Sequence, residues 1–410
     1  MKNKKQSRGR LLLLPILLFC LFLSGCSLEL SFLDRIAEEI AARGSDETGN
    51  TEALETESAE ESEAEGSSEA QLSQEDALAY AYSHISEEEQ LAYRQILGCI
   101  EAYEESVTLT STDKDVMENA FLALMSDRGD LFYVSGYSYV EYTNADGELL
   151  SLEFKPTYSM TSEEKSAYEA SINEIVNSDY LSKITDDMTD YEKALTVFET
   201  MIEEVSYQEG AEQNQNIIST FLYGQTVCQG YASGYQYLMK LLGIPSFIVT
   251  GRASGTSHAW NMIYLDGNWY NVDVTWGNAS YSLEGEETGE KQNYVNHAYF
   301  GISNELLNQT HEAEMNFELP QTLSNVDSYY VHEGLYFTEL DTDAIDQILS
   351  QAYSEQSNCS IMLDDEETFQ NVLNYYITEQ NITGPCPGIR TIRYIQDPVC
   401  HVLFFNLSNQ

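Results

Sequence analysis

The sequence predicts an α+β protein in which helices and antiparallel strands occupy successive segments. Apolar residues recur at helical spacing between residues 85 and 107. Residues 131–158 and 257–276 each contain two strand-like stretches around an Asp-Gly dipeptide, which is typical of a β-hairpin turn. A chain of 410 residues that is 42% hydrophobic is long enough for two or three compact units.

The N-terminal segment, residues 1–25, predicts an export signal. Five basic residues fall within the first ten, and the apolar run at 11–23 is shorter than the roughly 20 residues that a membrane-spanning helix needs. The run Leu-Ser-Gly-Cys that ends at Cys26 resembles the lipobox of bacterial lipoproteins. That resemblance implies diacylation of Cys26 and anchoring of the chain to the outer face of the bacterial membrane. An ordinary secretory signal with an incidental Cys26 is the alternative.

The chain is strongly acidic, and part of this acidity is local. It carries 68 acidic and 19 basic residues, a formal charge of −49, and removal of the signal would make the charge five units more negative. Such a surface repels phosphate, so no nucleic-acid partner is predicted. Residues 45–76 are almost entirely small or acidic, with too little apolar area to fold. We therefore interpret 26–76 as a lipid anchor followed by a disordered tether.

Seven cysteines are present, of which Cys20 would leave with the signal and Cys26 would be acylated. The remaining five are Cys99, Cys228, Cys359, Cys386 and Cys400. The sequence has no CxxC pair and no cysteine–histidine cluster with zinc spacing, so neither a metal site nor a cofactor is predicted. Five is an odd number, and at least one thiol should stay free. A disulfide between Cys386 and Cys400 is left open.

The patterns divide the exported chain into three predicted parts. Residues 77–189 form an α+β N-terminal region, and residues 190–324 form a core that holds the chemistry. Residues 325–410 form a small α+β domain of unknown role. In this last part, "YYVHEGLYF" (329–337) predicts a first hairpin, and "HVLFFNL" (401–407) predicts the final strand.

The core contains a cysteine at the start of a strongly marked helix. In "TVCQ", Thr226 and Gln229 fit a capping box, so Thr226 is predicted as the N-cap. Cys228 then lies in the first turn, where free amides and the helix dipole lower cysteine pKa values to roughly 3.5–7.5 from about 8.5. A buried cysteine that acts only as a small apolar residue is the alternative.

A nucleophilic thiolate needs a base, and the base needs an orienting partner. In the hairpin at 257–276, Leu265 is predicted to pair with Asn268. This register places His258 and Asp273 on one face as diagonal neighbours, roughly 7–8 Å apart at Cα. Asp273 lies among apolar residues, where an unpartnered carboxylate is costly. Trp260 lies in the same hairpin and is a candidate wall of the acyl site, with core packing as the alternative.

The segment 220–277 closely resembles the core of the transglutaminase-like superfamily, because "TVCQ", "SHAW" and "NVDVTW" agree with it in order, spacing and context. The resemblance implies a papain-like α+β fold, with the cysteine helix packed on an antiparallel sheet. It also implies that Cys228 is the nucleophile, His258 the general base and then acid, and Asp273 the orienting residue. For the oxyanion donor, the backbone N–H of Cys228 is the first candidate and Gln225 the second.

The predicted activity is acyl transfer on peptide or side-chain amides through a cysteine thioester. Hydrolysis by a cysteine peptidase or amidase is favoured, with a surface protein or cell-wall peptide as substrate. Two alternatives stay open: protein cross-linking by a transglutaminase, and a non-catalytic surface-binding module on a degenerate core. The sequence predicts no oligomeric state.

Overall fold

The structure is a computed structural model that describes residues 79–279, 294–322, 324–390 and 392–407. The predicted signal at 1–25, the lipidation site Cys26 and the tether at 26–76 lie outside the described residues. Those three predictions therefore stay predictions.

Helices account for much of the described chain. The α-helices are Tyr80–Ser83, Glu87–Glu101, Lys114–Asp127, Ser162–Ile175, Asp190–Glu204, Cys228–Leu241, Val274–Gly277, Asn304–Leu307, Tyr329–His332, Thr342–Glu355 and Glu366–Leu373. The π-helical turns are Val176–Tyr180, Ser219–Tyr223 and Asn374–Thr378, and the 3-10 turns are Leu181–Lys183, His297–Tyr299 and Asn381–Thr383. Among these helices, none is both long and apolar enough to cross a bilayer.

The strands form three main sheets and two short ladders. The strands are β1 Val107–Leu109, β2 Val134–Thr143, β3 Leu149–Tyr158, β4 Ser206–Tyr207, β5 Gln225–Thr226, β6 Ser246–Ala253, β7 Thr256–Leu265, β8 Asn268–Val272, β9 Asn278–Ala279, β10 Tyr294–Val295, β11 Phe300–Ile302, β12 His311–Ala313, β13 Tyr336–Phe337, β14 Asn358–Leu363, β15 Arg393–Asp397 and β16 Val402–Asn406. The main sheets have the orders β1-β3-β2, β11-β8-β7-β6-β12 and β13-β14-β16-β15. One main sheet falls in each of the three predicted parts, 77–189, 190–324 and 325–410.

The helix Cys228–Leu241 packs on β6 and β7 of the five-stranded sheet. Ala232, Ile248 and Ala259 form a small buried cluster between the helix and these strands. The side-chain amide of Asn261 donates to the carbonyl of Ala232 at 3.0 Å. Because two of these three side chains are alanine, the helix can approach the sheet closely. All pairings within this sheet are antiparallel, so the predicted cysteine helix on an antiparallel sheet is confirmed.

A second helix, Asp190–Glu204, supports the cysteine helix from its other side. Thr189 accepts from the amide of Glu192, and the Glu192 carboxylate accepts in return from the amide of Thr189. This capping box satisfies amide groups that the first helical turn leaves unpaired. The hydroxyl of Tyr235 then donates to the carbonyl of Ala194 at 3.2 Å, which joins the two helices.

The register of the hairpin at 257–276 is as predicted. The prediction of a hairpin at 329–337, in the C-terminal part, is wrong. Leu265 pairs with Asn268 in the β7–β8 ladder. In "YYVHEGLYF", by contrast, Tyr329–His332 is a helical turn, and only Tyr336–Phe337 is a strand, parallel to β14. The rings of Tyr329 and His332 stack on His297 and Tyr191 of the core. Residues three apart share one face of a helix, so these tertiary contacts favour the helical turn over the local strand preference.

The C-terminal part has its own apolar cluster and is also joined to the core. The buried Asn296 side chain donates to the Asp397 carboxylate at 2.9 Å. Cys386 belongs to the C-terminal cluster, whereas Cys400 packs into the main core. Both cysteines are free thiols, so the disulfide that the sequence left open is not formed.

Gly251 is a position where the sheet tolerates no side chain. A Cβ atom there would lie 2.0 Å from the carbonyl oxygen of Glu312 in β12. Since the clash is with backbone, Gly251→Ala is expected to destabilise the fold by about 1–3 kcal/mol, as overpacking does. Urea unfolding measures this, with Gly210→Ala as control because its nearest neighbour is 3.9 Å away. Equal midpoints for the two variants would contradict the packing described here.

Candidate active site

The helix that carries Cys228 begins at that residue, one position later than the capping box predicts. Val227 is the N-cap, and it makes no side-chain capping bond. The predicted capping box is therefore wrong. Thr226 is instead part of β5, where its hydroxyl donates to the carbonyl of Asn214 at 2.9 Å. Gln229 donates along the helix to the Ser233 hydroxyl at 3.2 Å. The Thr226 hydroxyl also accepts from the hydroxyl of Ser219 at 2.9 Å, so it is occupied by groups outside the helix.

Cys228 is 2% exposed and lies in the first helical turn, as expected from the sequence. Amides of a first turn have no acceptor within their own helix. These N–H groups and the dipole favour negative charge on the cysteine sulfur and on an oxyanion formed beside it. Cys228 also interacts with the side chain of His258 and raises the pKa of its imidazole. The helix start therefore brings together Cys228, the predicted nucleophile, and His258, the predicted base.

His258 and Asp273 are in direct contact. The Nε2 atom of His258 lies 2.7 Å from Oδ2 of Asp273, and both side chains are buried. Because Nε2 is held by the carboxylate, Nδ1 is the ring nitrogen left for Cys228. The β7–β8 ladder that ends at Asn261 and Val272 has the predicted register. Beyond it, however, Asp273 leaves the strand and becomes the N-cap of the short helix Val274–Gly277.

The Asp273 carboxylate accepts three hydrogen bonds. Oδ1 accepts from the backbone amide of Trp276 at 3.0 Å, and Oδ2 accepts from His258 at 2.7 Å and from Nε2 of His311 at 3.1 Å. Burial alone would raise the pKa of this carboxyl. The charge and hydrogen bonds of His258, with a smaller contribution from His311, instead hold its pKa well below the ordinary value. Asp273 is therefore an anion fixed at both oxygens.

His258 is held in its charged form by the same contacts. Burial would lower the pKa of its imidazole, but the Asp273 carboxylate and then Cys228 raise it to about 10. Near neutral pH the ring is therefore an imidazolium beside the cysteine sulfur. This arrangement favours a thiolate–imidazolium pair, which is the reactive form of a nucleophilic cysteine.

His311 is not among the site residues predicted from the sequence. It lies on the edge strand β12, 38 residues after Asp273, and its side chain is fully buried against the carboxylate. No motif surrounds it, and only the pairing of β12 with β6 brings it to the site.

Aromatic rings surround the two histidines. Trp260 lies nearly parallel to His258, with ring centroids 6.1 Å apart, and its indole N–H donates to Asn271 at 3.2 Å. Trp276 lies 4.7 Å from His311, and the ring of Tyr299 packs on Trp276 at 5.4 Å. This apolar shell keeps water from the buried carboxylate and strengthens its hydrogen bonds.

Trp260 and Gln225 are the other two residues predicted from the sequence to belong to the site. Trp260 is 3% exposed and packs beside His258, so its role as a substrate wall stays a prediction. Gln225 is exposed on β5, where it pairs with Ser206 three residues before the cysteine. Its role as an oxyanion donor also stays a prediction.

Within the described part of the chain, one group of side chains has the composition of a metal site, namely His258, Asp273 and His311. The carboxylate–imidazole separations of 2.7 and 3.1 Å are those of hydrogen bonds. Moreover, a metal on Nε2 of His258 would displace the proton that Asp273 holds in place. We therefore assign the three residues as a hydrogen-bonded relay.

The four other described cysteines have raised pKa values and no histidine–carboxylate pair that would favour a thiolate. Burial raises the pKa of Cys99 and Cys359 to about 12 and that of Cys386 to about 11, and it also raises the pKa of Cys400. Cys228 is therefore expected to be the only fast-reacting thiol among these five. Iodoacetamide treatment at neutral pH, followed by peptide mass spectrometry, should find alkylation at Cys228 first. Comparable labelling of Cys386 or Cys400 in the folded protein would contradict the assignment.

The raised pKa of His258 also predicts how stability depends on pH. A folded protein that binds a proton more tightly than its unfolded chain is stabilised below the unfolded pKa, here about 6.5, and loses that stabilisation as pH rises towards 10. The free energy of unfolding should therefore fall across this interval, and His258→Gln should flatten the fall. His332→Gln is the control, because His332 is half-exposed and its replacement should leave the fall in place. Parallel curves for wild type and His258→Gln would exclude the charged imidazole.

Comparison with known proteins finds similarity around Cys228, His258 and Asp273. A family model described as the transglutaminase-like superfamily matches residues 179–274. Kyphoscoliosis peptidase from Homo sapiens is 28% identical over 131 residues, and the protein of the same name from Mus musculus is 27% identical. Each match covers 28% of this chain and 19% of the relative, so the chain spans about a fifth of the curated relatives that it matches.

Solved structures give weaker likenesses. One described as a TGase covers 38% of this chain and 48% of its own, with 14% identity and a TM-score of 0.26. The periplasmic domain of TgpA from Pseudomonas aeruginosa, bound to ethylmercury, covers 33% of this chain and 59% of its own, with 12% identity and a TM-score of 0.21. The family match includes Cys228, His258 and Asp273. Residues 179–274 therefore match a transglutaminase-like superfamily domain, and the predicted α+β fold, with the cysteine helix on an antiparallel sheet, is confirmed.

Proposed function

We propose that this protein is a thiol hydrolase, a cysteine peptidase or amidase, in which Cys228, His258 and Asp273 act as a catalytic triad. The observation that carries the proposal is the buried chain of contacts from the cysteine through the imidazole to a carboxylate with three donors. Each residue has the environment that its role requires. The name of the curated relatives, a peptidase, supports the same class of reaction.

In the first step the Cys228 sulfur attacks the carbonyl carbon of an amide, and the carbonyl electrons move to oxygen. In this proposal the first-turn amide of Cys228 stabilises that oxyanion. The C–N bond then breaks as the His258 imidazolium gives its proton to the departing amine. A thioester remains on Cys228, and Asp273 holds the neutral ring in place.

In the second step a water molecule attacks the thioester carbon. His258 accepts a proton from that water, the C–S bond breaks, and the sulfur leaves as a thiolate that restores the ion pair. Hydrolysis needs only that a water reach the thioester beside His258. Cross-linking needs in addition a groove that admits an amine and excludes water. We therefore favour water as the acceptor, with a surface protein or cell-wall peptide as substrate.

The test incubates the purified chain with a cell-surface extract and a biotinylated primary amine, followed by mass spectrometry of the products. New peptide termini that vanish with Cys228→Ala are the expected result. Biotin on glutamine side chains without new termini would establish a transglutaminase instead. No product of either kind, together with an unreactive Cys228, would favour a non-catalytic binding module.

We also propose that the enzyme acts at the outer face of the membrane, held there by diacylated Cys26. The basic segment, the apolar run and the lipobox-like end of residues 1–26 support this location. The acidic stretch that follows would act as a solvated tether. Metabolic labelling with a fatty-acid probe should mark wild type and not Cys26→Ser. Equal labelling of both would show that Cys26 is not the anchor.

A further inference from the structure

Asp273 Oδ2 is shared by two histidines from different strands. His258 reaches it from β7 at 2.7 Å, and His311 reaches it from β12 at 3.1 Å. Both imidazoles offer the same atom, Nε2, and their ring centroids are 5.3 Å apart. The contacts of Cys228, His258, Asp273 and His311 therefore form one continuous chain, of which the proposed triad is only the first part.

Thr310 fixes the orientation of the second histidine. Its hydroxyl oxygen lies 2.8 Å from Nδ1 of His311 and 3.4 Å from the carbonyl of Leu307. An ionised carboxylate can only accept hydrogen bonds, so Nε2 of His311, which lies against Asp273, carries an N–H, while Nδ1 contacts the Thr310 hydroxyl. That N–H points at Asp273. His311 thus donates to the carboxylate, and its second nitrogen is satisfied as well.

Two donors on one oxygen compete for the same negative charge. A hydrogen bond from His311 stabilises the carboxylate whether or not His258 is protonated, and it thereby weakens the attraction between Asp273 and the His258 imidazolium. The proposed reaction needs a ring that also releases its proton to the leaving amine, and an imidazolium that is held too tightly is a poor acid. The second donor, His311, therefore leaves Asp273 able to stabilise the His258 imidazolium and still allows that imidazolium to release its proton to the leaving amine.

We propose that His311 is a positioning residue of this site, which fixes the Asp273 carboxylate through Nε2 and limits how strongly that carboxylate holds the His258 imidazolium. This inference rests on the proposed function. It adds a fourth residue that lies outside the segment matched by the family model, which ends at residue 274.

The ionisable groups that face His258 come from three elements. Cys228 lies at the helix start, Asp273 follows β8, and His311 lies on β12. Tyr299 stands behind them, where burial and the nearby Cys400 raise the pKa of its phenol. Tyr299 thus stays neutral near pH 7, and among these neighbours His311 is the one whose replacement removes a donor from Oδ2.

The test measures the titration of His258 directly by NMR of the full chain in detergent, labelled with ¹⁵N-histidine. The chain has six histidines, so His258→Gln identifies the resonance. In His311→Leu the midpoint of His258 should move upward by about one pH unit, which is the size expected for loss of one hydrogen bond to a charged group. His311→Gln places an amide donor near the former Nε2 and should leave the midpoint within a few tenths of a unit.

Each other outcome is informative. An unchanged or lower midpoint in His311→Leu would overturn the role of His311, even with wild-type His258 titrating far above its usual range. An ordinary midpoint near 6.5 in wild type would instead overturn the proposed triad. Should His311→Leu fail to fold, Thr310→Val keeps the ring and removes the partner of Nδ1. It should then give a smaller upward shift than the loss of His311, and no shift would contradict the proposal.

Discussion

Replacing Asp273 with asparagine is expected to lower the rate of acyl transfer by about 10⁴-fold, the order found when the orienting carboxylate of a catalytic triad is neutralised. The carboxylate accepts from Trp276 on one oxygen and from His258 and His311 on the other. Asparagine has one oxygen and one amide, so in either orientation it presents N–H groups to at least one of these donors. The negative charge that stabilises the His258 imidazolium is lost as well.

The matched control is Asp127→Asn, another buried carboxylate that accepts from two amides, those of Ala81 and Tyr82. It should lower the unfolding midpoint and leave the rate per folded molecule nearly unchanged. The measurement is the rate of product release at matched concentrations of folded protein. Similar losses for both variants would mean that Asp273 contributes to folding alone.

Replacing Cys228 with serine is expected to reduce the same rate by about 10⁶-fold, the order found when a triad nucleophile is removed. A serine hydroxyl at this position has a proton far harder to remove than that of a thiol, so the ion pair with His258 does not form. Substrate binding should persist, because the fold and the surrounding shell are unchanged. The rate of product release is again the readout, with a binding measurement beside it.

Cys99→Ser is the matched control for this variant, since Cys99 is also a buried cysteine but lies on the helix Glu87–Glu101, away from the site. It should retain the wild-type rate. A Cys228→Ser protein that kept a measurable fraction of the wild-type rate would show that the reaction does not pass through a thioester on this residue.

Much of the central unit was predictable because its signals are local. The Asp-Gly turn sets the register of the β7–β8 hairpin, and that register decides that His258 and Asp273 share a face. The predicted strand is nevertheless one residue too long at this point, because the ladder ends at Val272 and Asp273 is a helix N-cap. The predicted proximity is correct, although the local structure around Asp273 differs from the prediction.

The predictions that are wrong or missing concern residues whose local structure depends on contacts with distant parts of the chain. Thr226 and Gln229 have the right spacing for a capping box. Thr226 instead pairs with β4 and donates its hydroxyl to the carbonyl of Asn214. His311 could not be predicted because it reaches the site only through the edge strand β12. The false hairpin at 329–337 has the same cause, since the stacking of Tyr329 and His332 on the core favours a helical turn there.

The most direct test of the thiolate–imidazolium pair is the ultraviolet absorbance of the Cys228 thiolate, taken as the difference between wild type and Cys228→Ser from about pH 4 to about pH 9. The structure predicts that this absorbance is already present well below the ordinary cysteine pKa of about 8.5. It further predicts that His258→Gln moves its onset upward, because the imidazolium partner is removed. An onset near 8.5 in wild type, unchanged by His258→Gln, would contradict an activated nucleophile at Cys228.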